Sequence, residues 1–442
     1  MRTPLAAQGR FRWAVAVAFL CGALAGGAAA LAQARGGDLM ALKEKFRRPA
    51  AIPFPVSNPY SAAKRALGEK LFHDKRLSAD GSIACATCHD RAKGFSDGRA
   101  TAIGVPRRPL ARHTPTLWNL AWARNVFWDG RARSLEEQVA GPIIAPDEMA
   151  QPMDKLVARL AADRDTVRAF AKAFPNDPRV TEENLKKAIA TYERTFASPR
   201  TRFDRWIEGD AGALSPQEAD GFRVFTGKAG CANCHSGWAF TDYAFYDVGL
   251  ASDDRGRGAV LRLEKAEYAF KTPSLREVAR RAPYMHDGSL GDLADVVRHY
   301  VDGIADRPTR SPDLRRISLS PPEQDALVAF LKTLTSEGEP QLPATIVAEK
   351  SHPVPAERVT SISQHDKVFT PTHVRVRRGE RLWFLNNDTR THNIRVFDEK
   401  LDFDSGAQEP GETVEIAFPK TGSYLVFCGI HPKMELTVDV GR

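Results

Sequence analysis

Cys85-Ala86-Thr87-Cys88-His89 and its second copy, Cys231-Ala232-Asn233-Cys234-His235, decide how this chain folds. Two thiols at this spacing reach the two vinyl groups of a haem, and the adjacent histidine swings under the iron, so C-x-x-C-H is an attachment signal for c-type haem. A redox dithiol or half of a zinc site also uses C-x-x-C, but two copies with His directly after the second Cys favour haem. Cys85, Cys88, Cys231 and Cys234 are therefore expected to carry two covalent haems, with His89 and His235 as proximal iron ligands.

Outward from each copy the sequence repeats a plan. A helix-like stretch around Lys64 to Phe72 precedes the first, and Ser215-Pro216-Gln217-Glu218, a capping box with proline in the first turn, opens the helix before the second. Leu71-Phe72 and Val224-Phe225 each lead through a short Gly-containing loop into the motif, which predicts two related, mainly α modules. A second box, Ser320-Pro321-Pro322-Glu323, opens a helix whose Leu327, Phe330, Leu331 and Leu334 share one face, closing the second module. From Glu337 to Pro355 the chain turns rich in Pro, Glu and Ser, as a linker does. The period then changes. Val374 to Val376, Arg381 to Leu385, Val414 to Phe418, Ser423 to Phe427 and Leu436 to Val440 are short, β-branched or aromatic, and punctuated by Gly379, Gly411 and Gly422, predicting an all-β sandwich.

The 442 residues divide accordingly: a signal peptide over 1–32, a haem domain over 38–205, a second over 206–338, a linker over 339–355 and the sandwich over 356–442. Arg2, Arg10 and Arg12, the apolar stretch Trp13 to Leu31 and Ala30-Leu31-Ala32 before Gln33 follow the order of a secretory signal with an A-x-A type cleavage site. Gly and Ala dominate the stretch and no charged stop-transfer cluster follows, which disfavours a retained anchor; Leu20 fits poorly before a lipidated Cys21. No second long apolar run follows, so the mature protein is expected in the periplasm without a membrane span. The net charge of +8 is scattered rather than clustered, which excludes nucleic acid as a partner.

One mature cysteine remains. Cys428-Gly-Ile-His431-Pro-Lys-Met434 places Cys and His on one tight loop with Met three further on, and His392 follows an earlier strand. One thiolate, two imidazoles and a weak thioether form the ligand set of a type 1, blue-copper ion. Residues 356 to 442 resemble the plastocyanin, amicyanin and pseudoazurin cupredoxins. In that family the loop histidine lies near the surface, which implies His431 as the electron port.

Residues 40 to 338 carry several separated motifs in order: Arg112-His113-Thr114-Pro115-Thr116-Leu117, Phe127-Trp128-Asp129-Gly130-Arg131-Ala132, Leu135-Glu136-Glu137-Gln138, Gly141-Pro142, Glu148-Met149, Lys271-Thr272-Pro273-Ser274-Leu275 and Ala282-Pro283-Tyr284-Met285-His286-Asp287-Gly288. This stretch resembles the bacterial di-haem cytochrome c peroxidase and MauG family. The resemblance makes the first haem the peroxidatic one, with Glu148 as distal acid–base, Gln138 as its pocket neighbour and Trp128 as relay between haems. The histidine that caps the resting peroxidatic iron in many relatives is missing from Ala102-Ile103-Gly104-Val105-Pro106-Arg107, and His113 is the nearest substitute. The second haem's distal ligand falls at Tyr300, as in MauG, where peroxidases have Met; Met285 is the rival. The family's calcium ligands align with His113 and Arg281, which leaves calcium doubtful.

Three functions follow. The first is a hydrogen peroxide reductase fed through the copper domain, with an external small electron-donor protein. The second is a MauG-like oxidase that builds a high-valent di-haem state and oxidises residues of a partner protein. The third is a non-catalytic multi-centre electron carrier, which Glu148 argues against.

Overall fold

Two helix pairs set the frame. The computed structural model describes residues 39–105, 107–349, 357 and 359–442. In the first module the helix Ala62–Phe72 crosses the helix Glu182–Arg194, and a Cβ on Gly68 would lie 2.1 Å from the Ala188 carbonyl oxygen. In the second, Pro216–Thr226 crosses Pro321–Lys332, and a Cβ on Gly221 would lie 2.0 Å from the Ala326 carbonyl oxygen. Only a residue without Cβ allows either crossing, and in both modules it lies four positions before the phenylalanine that leads to the haem motif. The two modules are thus related in packing as well as in sequence.

The caps form where the sequence places them. Ser215 N donates to Glu218 Oε2 at 2.8 Å, while Ser215 Oγ accepts from Glu218 N at 3.3 Å. Ser320 N donates to Glu323 Oε2 at 2.8 Å. Each satisfies donors that a helix start leaves orphaned. Cys85–Cys88 then forms a single helical turn and Cys231–Asn233 a tighter one. Aromatic clusters back both turns. Phe203, Phe222, Phe225, Phe240 and Phe330 lie 5.2–6.0 Å apart by ring centroid in the second module, and Phe72, Phe95, Trp118, Tyr192 and Phe196 fill the same place in the first.

The C-terminal part is a sandwich with, among the described residues, nine strands: β1 Ser361–His365, β2 Val368–Thr370, β3 His373–Arg377, β4 Arg381–Asn386, β5 Ile394–Asp398, β6 Leu401–Asp404, β7 Thr413–Ala417, β8 Gly422–Cys428 and β9 Glu435–Gly441. One sheet runs β6-β5-β8-β9-β3 and the other β7-β4-β1-β2. The β9–β3 and β1–β4 pairs are parallel and the other pairs antiparallel. Alternate residues of β4 (Leu382, Phe384) and β9 (Leu436, Val438, Val440) point into one shared core, as period 2 requires. The fold class read from the sequence is the one found. β1, β2, β5 and β6 are not among the expected strands, because polar residues on both faces, Gln364 inside and Arg395 and Asp402 outside, blur the alternation.

The chain forms two compact units, Met1–Arg47 and Arg48–Arg442. Of the first, residues 39–47 are described, with 39–44 helical. The expected signal peptide, Cys21 included, lies outside the described residues, as do linker residues 350–355. The preceding segment is anchored: Ala348–Glu349 pairs in parallel with Ile52–Pro53. Among the described residues no helix is long and apolar enough to cross a membrane.

Candidate active site and metal centres

Both proximal histidines are held alike. His89 Nδ1 lies 3.0 Å from the Phe95 carbonyl oxygen, and His235 Nδ1 lies 2.9 Å from that of Phe240. A carbonyl only accepts, so Nδ1 carries the proton and Nε2 keeps its lone pair for a metal. Burial holds both imidazoles below their ordinary pKa, in the neutral form that ligation needs. Phe95 and Phe240 both have left-handed backbones, φ 60° and 52°, a strain offset by rings buried in the aromatic clusters. Burial also pushes the thiols up, to about 11 at Cys88 and about 12 at Cys231 and Cys234. A redox dithiol needs the opposite shift.

The cavity beside His89 has a volume of about 600 Å³, and Cys85, Cys88, Trp128, Gln138 and Glu148 line it. Burial raises the Glu148 carboxyl above its usual range, with Arg131 partly offsetting it. His113 also lines the wall, but its Nδ1 is 2.7 Å from the Arg99 carbonyl oxygen and its Nε2 is 3.2 Å from Ser96 Oγ. Both nitrogens are thus engaged, and His113 is a structural residue. Glu193, 4% exposed, lines the same cavity beside Cys85. Its Oε2 has no hydrogen-bond partner among the described residues, and burial raises its carboxyl to about 8.

The cavity beside His235 has a volume of about 690 Å³. Tyr300 reaches it from a single π-helical turn, His299–Gly303, a local widening that recurs at functional sites. Burial raises its phenol pKa, and the neighbouring Cys234 and Cys231 add to the shift. Met285, at φ 73°, lines the same space, so the structure brings both expected distal residues to this cavity. Trp128 and Lys271 line both cavities. Trp128 Nε1 donates to the His113 carbonyl oxygen at 2.7 Å, and Lys271, its ammonium lowered by burial to about 8, donates its amide to the Trp128 carbonyl oxygen at 2.8 Å.

The third centre gathers residues from β8, the loop after it and the loop before β5. His392, Cys428 and His431 are buried, with ligand atoms all within 4.8 Å of one another. Cys428 Sγ is 3.7 Å from His392 Nδ1 and 3.6 Å from His431 Nδ1. Such spacings suit two ligands of one transition-metal ion with bonds of about 2.0–2.3 Å. Met434 is buried in the core beside them and accepts from the Cys428 amide through its carbonyl at 3.0 Å. Burial keeps both imidazoles neutral, and Asp388 Oδ2, 3.2 Å from His392 Nε2, fixes that ring with Nδ1 inward.

His431 is not at the surface of the whole molecule. It is 5% exposed, because the second haem module covers the ligand loop, a departure from what cupredoxin likeness implies for that domain alone. Phe245 N donates to the Ile430 carbonyl oxygen at 3.2 Å, and Lys433 Nζ donates to that of Thr241 at 3.1 Å. The Tyr246 ring stands 6.5 Å from the His431 ring and also lines the second cavity. From Tyr246 a polar chain returns to the candidate metal ligands through Lys367, Asp313, Arg390 and Asp388, the last bonded to His392.

Comparison with known proteins adds the family. Residues 62–212 match the di-haem cytochrome c peroxidase family, and residues 341–438 match the cupredoxin-like domain family. The methylamine utilization protein MauG of Methylorubrum extorquens is 46% identical over 341 residues, which cover 75% of this chain and 97% of that protein. The chain belongs to the di-haem cytochrome c peroxidase and MauG family. Cytochrome c551 peroxidase of Pseudomonas aeruginosa is 35% identical over 313 residues, covering 68% of this chain and 86% of that protein. A solved MauG-like protein associated with microbial copper homeostasis is 32% identical, with a TM-score of 0.61 over 65% of this chain and 94% of its own.

Membership makes the chain an oxidoreductase and implies two haems, and the lining of the two cavities fits them: each opens on a C-x-x-C-H turn whose histidine is fixed through Nδ1. At the positions where the resemblance put calcium ligands, Arg281 is buried with its Nη2 on the Ser274 carbonyl oxygen, and its charge acts on His113. A fixed cation there disfavours a bound one. Sequence reading missed Glu193, Tyr246 and Arg257, which no motif marks, and gave Lys271 no role although it opens a quoted motif; their significance comes from partners distant in the chain.

Proposed function

We propose that the chain is a periplasmic hydrogen peroxide reductase with two covalent c-type haems and one type 1 copper ion that passes electrons to them. His89 and His235 would hold the two irons, and His392, Cys428, His431 and Met434 the copper. When bound, the first haem would supply a binding site for peroxide and an electron sink. The observation that carries this reading is the wall of the first cavity: Glu148, its carboxyl raised by burial, stands with Gln138 where the other histidine, His113, is engaged through both ring nitrogens. A carboxyl of raised pKa can take a proton from one peroxide oxygen and return it to the other. Reduction to two waters consumes two electrons and two protons, and a fused donor supplies the electrons at high effective concentration.

A second reading, a MauG-like oxidase acting on a partner protein, draws support from Tyr300 at the second cavity and the identity to MauG. A phenolate ligand favours ferric iron and lowers the potential relative to Met. Stopped-flow mixing of the copper-reduced protein with hydrogen peroxide separates the two. Rapid return of the blue band with catalytic peroxide loss is the expected result. A persistent oxidised-haem signal, with little turnover until a protein substrate is added, would replace the reductase with the oxidase.

A further inference from the structure

Arg257 opens a short helix, Arg257–Leu261, of the second haem module and is 3% exposed. Its Nε and Nη2 donate to the Gly429 carbonyl oxygen at 3.0 and 2.8 Å. Its Nη1 donates to the carbonyl oxygens of Asp129 at 3.0 Å and Gly130 at 2.7 Å. Gly429 directly follows Cys428 in the copper-ligand loop, and Asp129 and Gly130 directly follow Trp128, which lines both haem cavities. One planar side chain thus joins the two segments. The Phe245 ring lies 4.5 Å from the guanidinium carbon, and the Phe245 amide donates to the next carbonyl of the copper loop.

Among the described residues the hydrogen-bond partners of Arg257 are these main-chain carbonyls, and no carboxylate pairs with it. The nearest carboxylate acting on it, Asp129, is itself paired with Arg112 and Arg131, and a buried guanidinium so weakly countered persists only where its donors are well met. Burial lowers its pKa to about 10, so it stays charged at neutral pH. The guanidinium grips the carbonyl of Gly429, the residue after Cys428, which places its charge beside the ligand loop. A fixed positive charge beside a metal centre favours the state holding one more electron.

We propose that Arg257 is a positioning residue that clamps the copper-ligand loop onto the Trp128 turn and, as a fixed cation beside Cys428, raises the reduction potential of the copper. The inference rests on the metal loading proposed above and is independent of the direction of electron flow. Its consequence is that the copper-ligand loop is held at a fixed separation from the Trp128 turn, whose indole lines both cavities. A domain that merely hung on a flexible linker would have to find that contact on every cycle, at an effective concentration in the mM range. The docked face is also withheld from outside proteins, since His431 is covered.

The test uses the full-length, metal-loaded protein and two substitutions. Arg257→Gln removes the charge; Arg257→Lys keeps it but loses the planar fork that reaches both loops. Two quantities are read without peroxide: the copper potential by spectroelectrochemistry, and the rate of copper–haem equilibration after flash reduction, at increasing glycerol viscosity. The wild-type rate should not respond to viscosity. In both variants it should fall by on the order of 10²-fold, the lower end of what linkage in a fixed geometry contributes, and become viscosity-dependent. The potential should drop in Arg257→Gln and be largely kept in Arg257→Lys. The blue band and both haem spectra serve as folding controls; if Arg257→Gln loses the blue band, Arg257→Lys decides. A lysine variant with the wild-type rate and viscosity response would overturn the clamp, and a glutamine variant with an unchanged potential would overturn the tuning. A chain that failed to reduce peroxide would defeat the proposed function and leave both measurements standing.

Discussion

The cavities beside His89 and His235 share a floor and differ in their walls. Both have a neutral histidine fixed through Nδ1 by the carbonyl of a phenylalanine with left-handed backbone. Above that floor the first presents carboxyl groups, Glu148 and Glu193, whose pKa values burial raises. The second presents a phenol and a thioether, Tyr300 and Met285, among cations that include Arg307, Arg315, Arg316 and Arg390. A wall that stores protons suits bond cleavage in peroxide, whereas a wall that offers a ligand and positive charge suits holding an electron. The same attachment motif occurs twice, and the difference between the cavities lies in the residues opposite it.

The largest test of that division is Glu148→Gln, nearly isosteric but unable to accept the proton. Peroxide kcat/KM should fall by about 10²- to 10⁴-fold, the usual worth of a positioned acid–base group, with both haem spectra and the blue band unchanged. The pH dependence carries a sign. Because Glu148 is raised, the acid limb of the wild-type rate should lie above the ordinary carboxylate range, and in the glutamine variant it should vanish. Turnover retained in the variant would put the proton chemistry elsewhere. A smaller effect is expected across the molecule at the second cavity. Tyr300→Met should raise the potential of that haem alone, as exchange of a phenolate for a thioether does, and an unchanged potential would assign the position to Met285.

How much of this was legible in the sequence depended on distance along the chain. Cys85 to His89, the capping boxes at Ser215 and Ser320, and the Cys428 to Met434 loop are local patterns, and each forms where it was read. Glu148, Trp128 and Tyr300 were found only through likeness to a family, since a lone carboxylate, indole or phenol carries no local signal; the fold then brings each to a cavity wall. Arg257 was beyond reach. Its partners are carbonyls, which every residue has, and Gly429 is 172 positions away. The burial of His431 was missed for a related reason: the ligand loop was read as part of an isolated sandwich, whereas Thr241, Phe245 and Tyr246 of another module cover it.

Glu193 sharpens the contrast between the cavities in a way that needs no turnover. In the unfolded chain its carboxyl titrates near the ordinary value of about 4.3. In the folded protein burial holds the proton up to about 8. Between those limits the folded state binds more protons than the unfolded one, so stability falls as pH rises. Over the whole window the loss attributable to this group is on the order of 4 kcal/mol. Glu193→Gln keeps the shape and removes the titration. Thermal unfolding of the metal-loaded protein between pH 5 and 8 should therefore show a shallower decline in Tm with rising pH for the variant than for the wild type. Equal slopes would mean that the carboxyl finds a partner in the loaded cavity and ionises normally. The first wall would then hold one raised carboxyl, Glu148, instead of two.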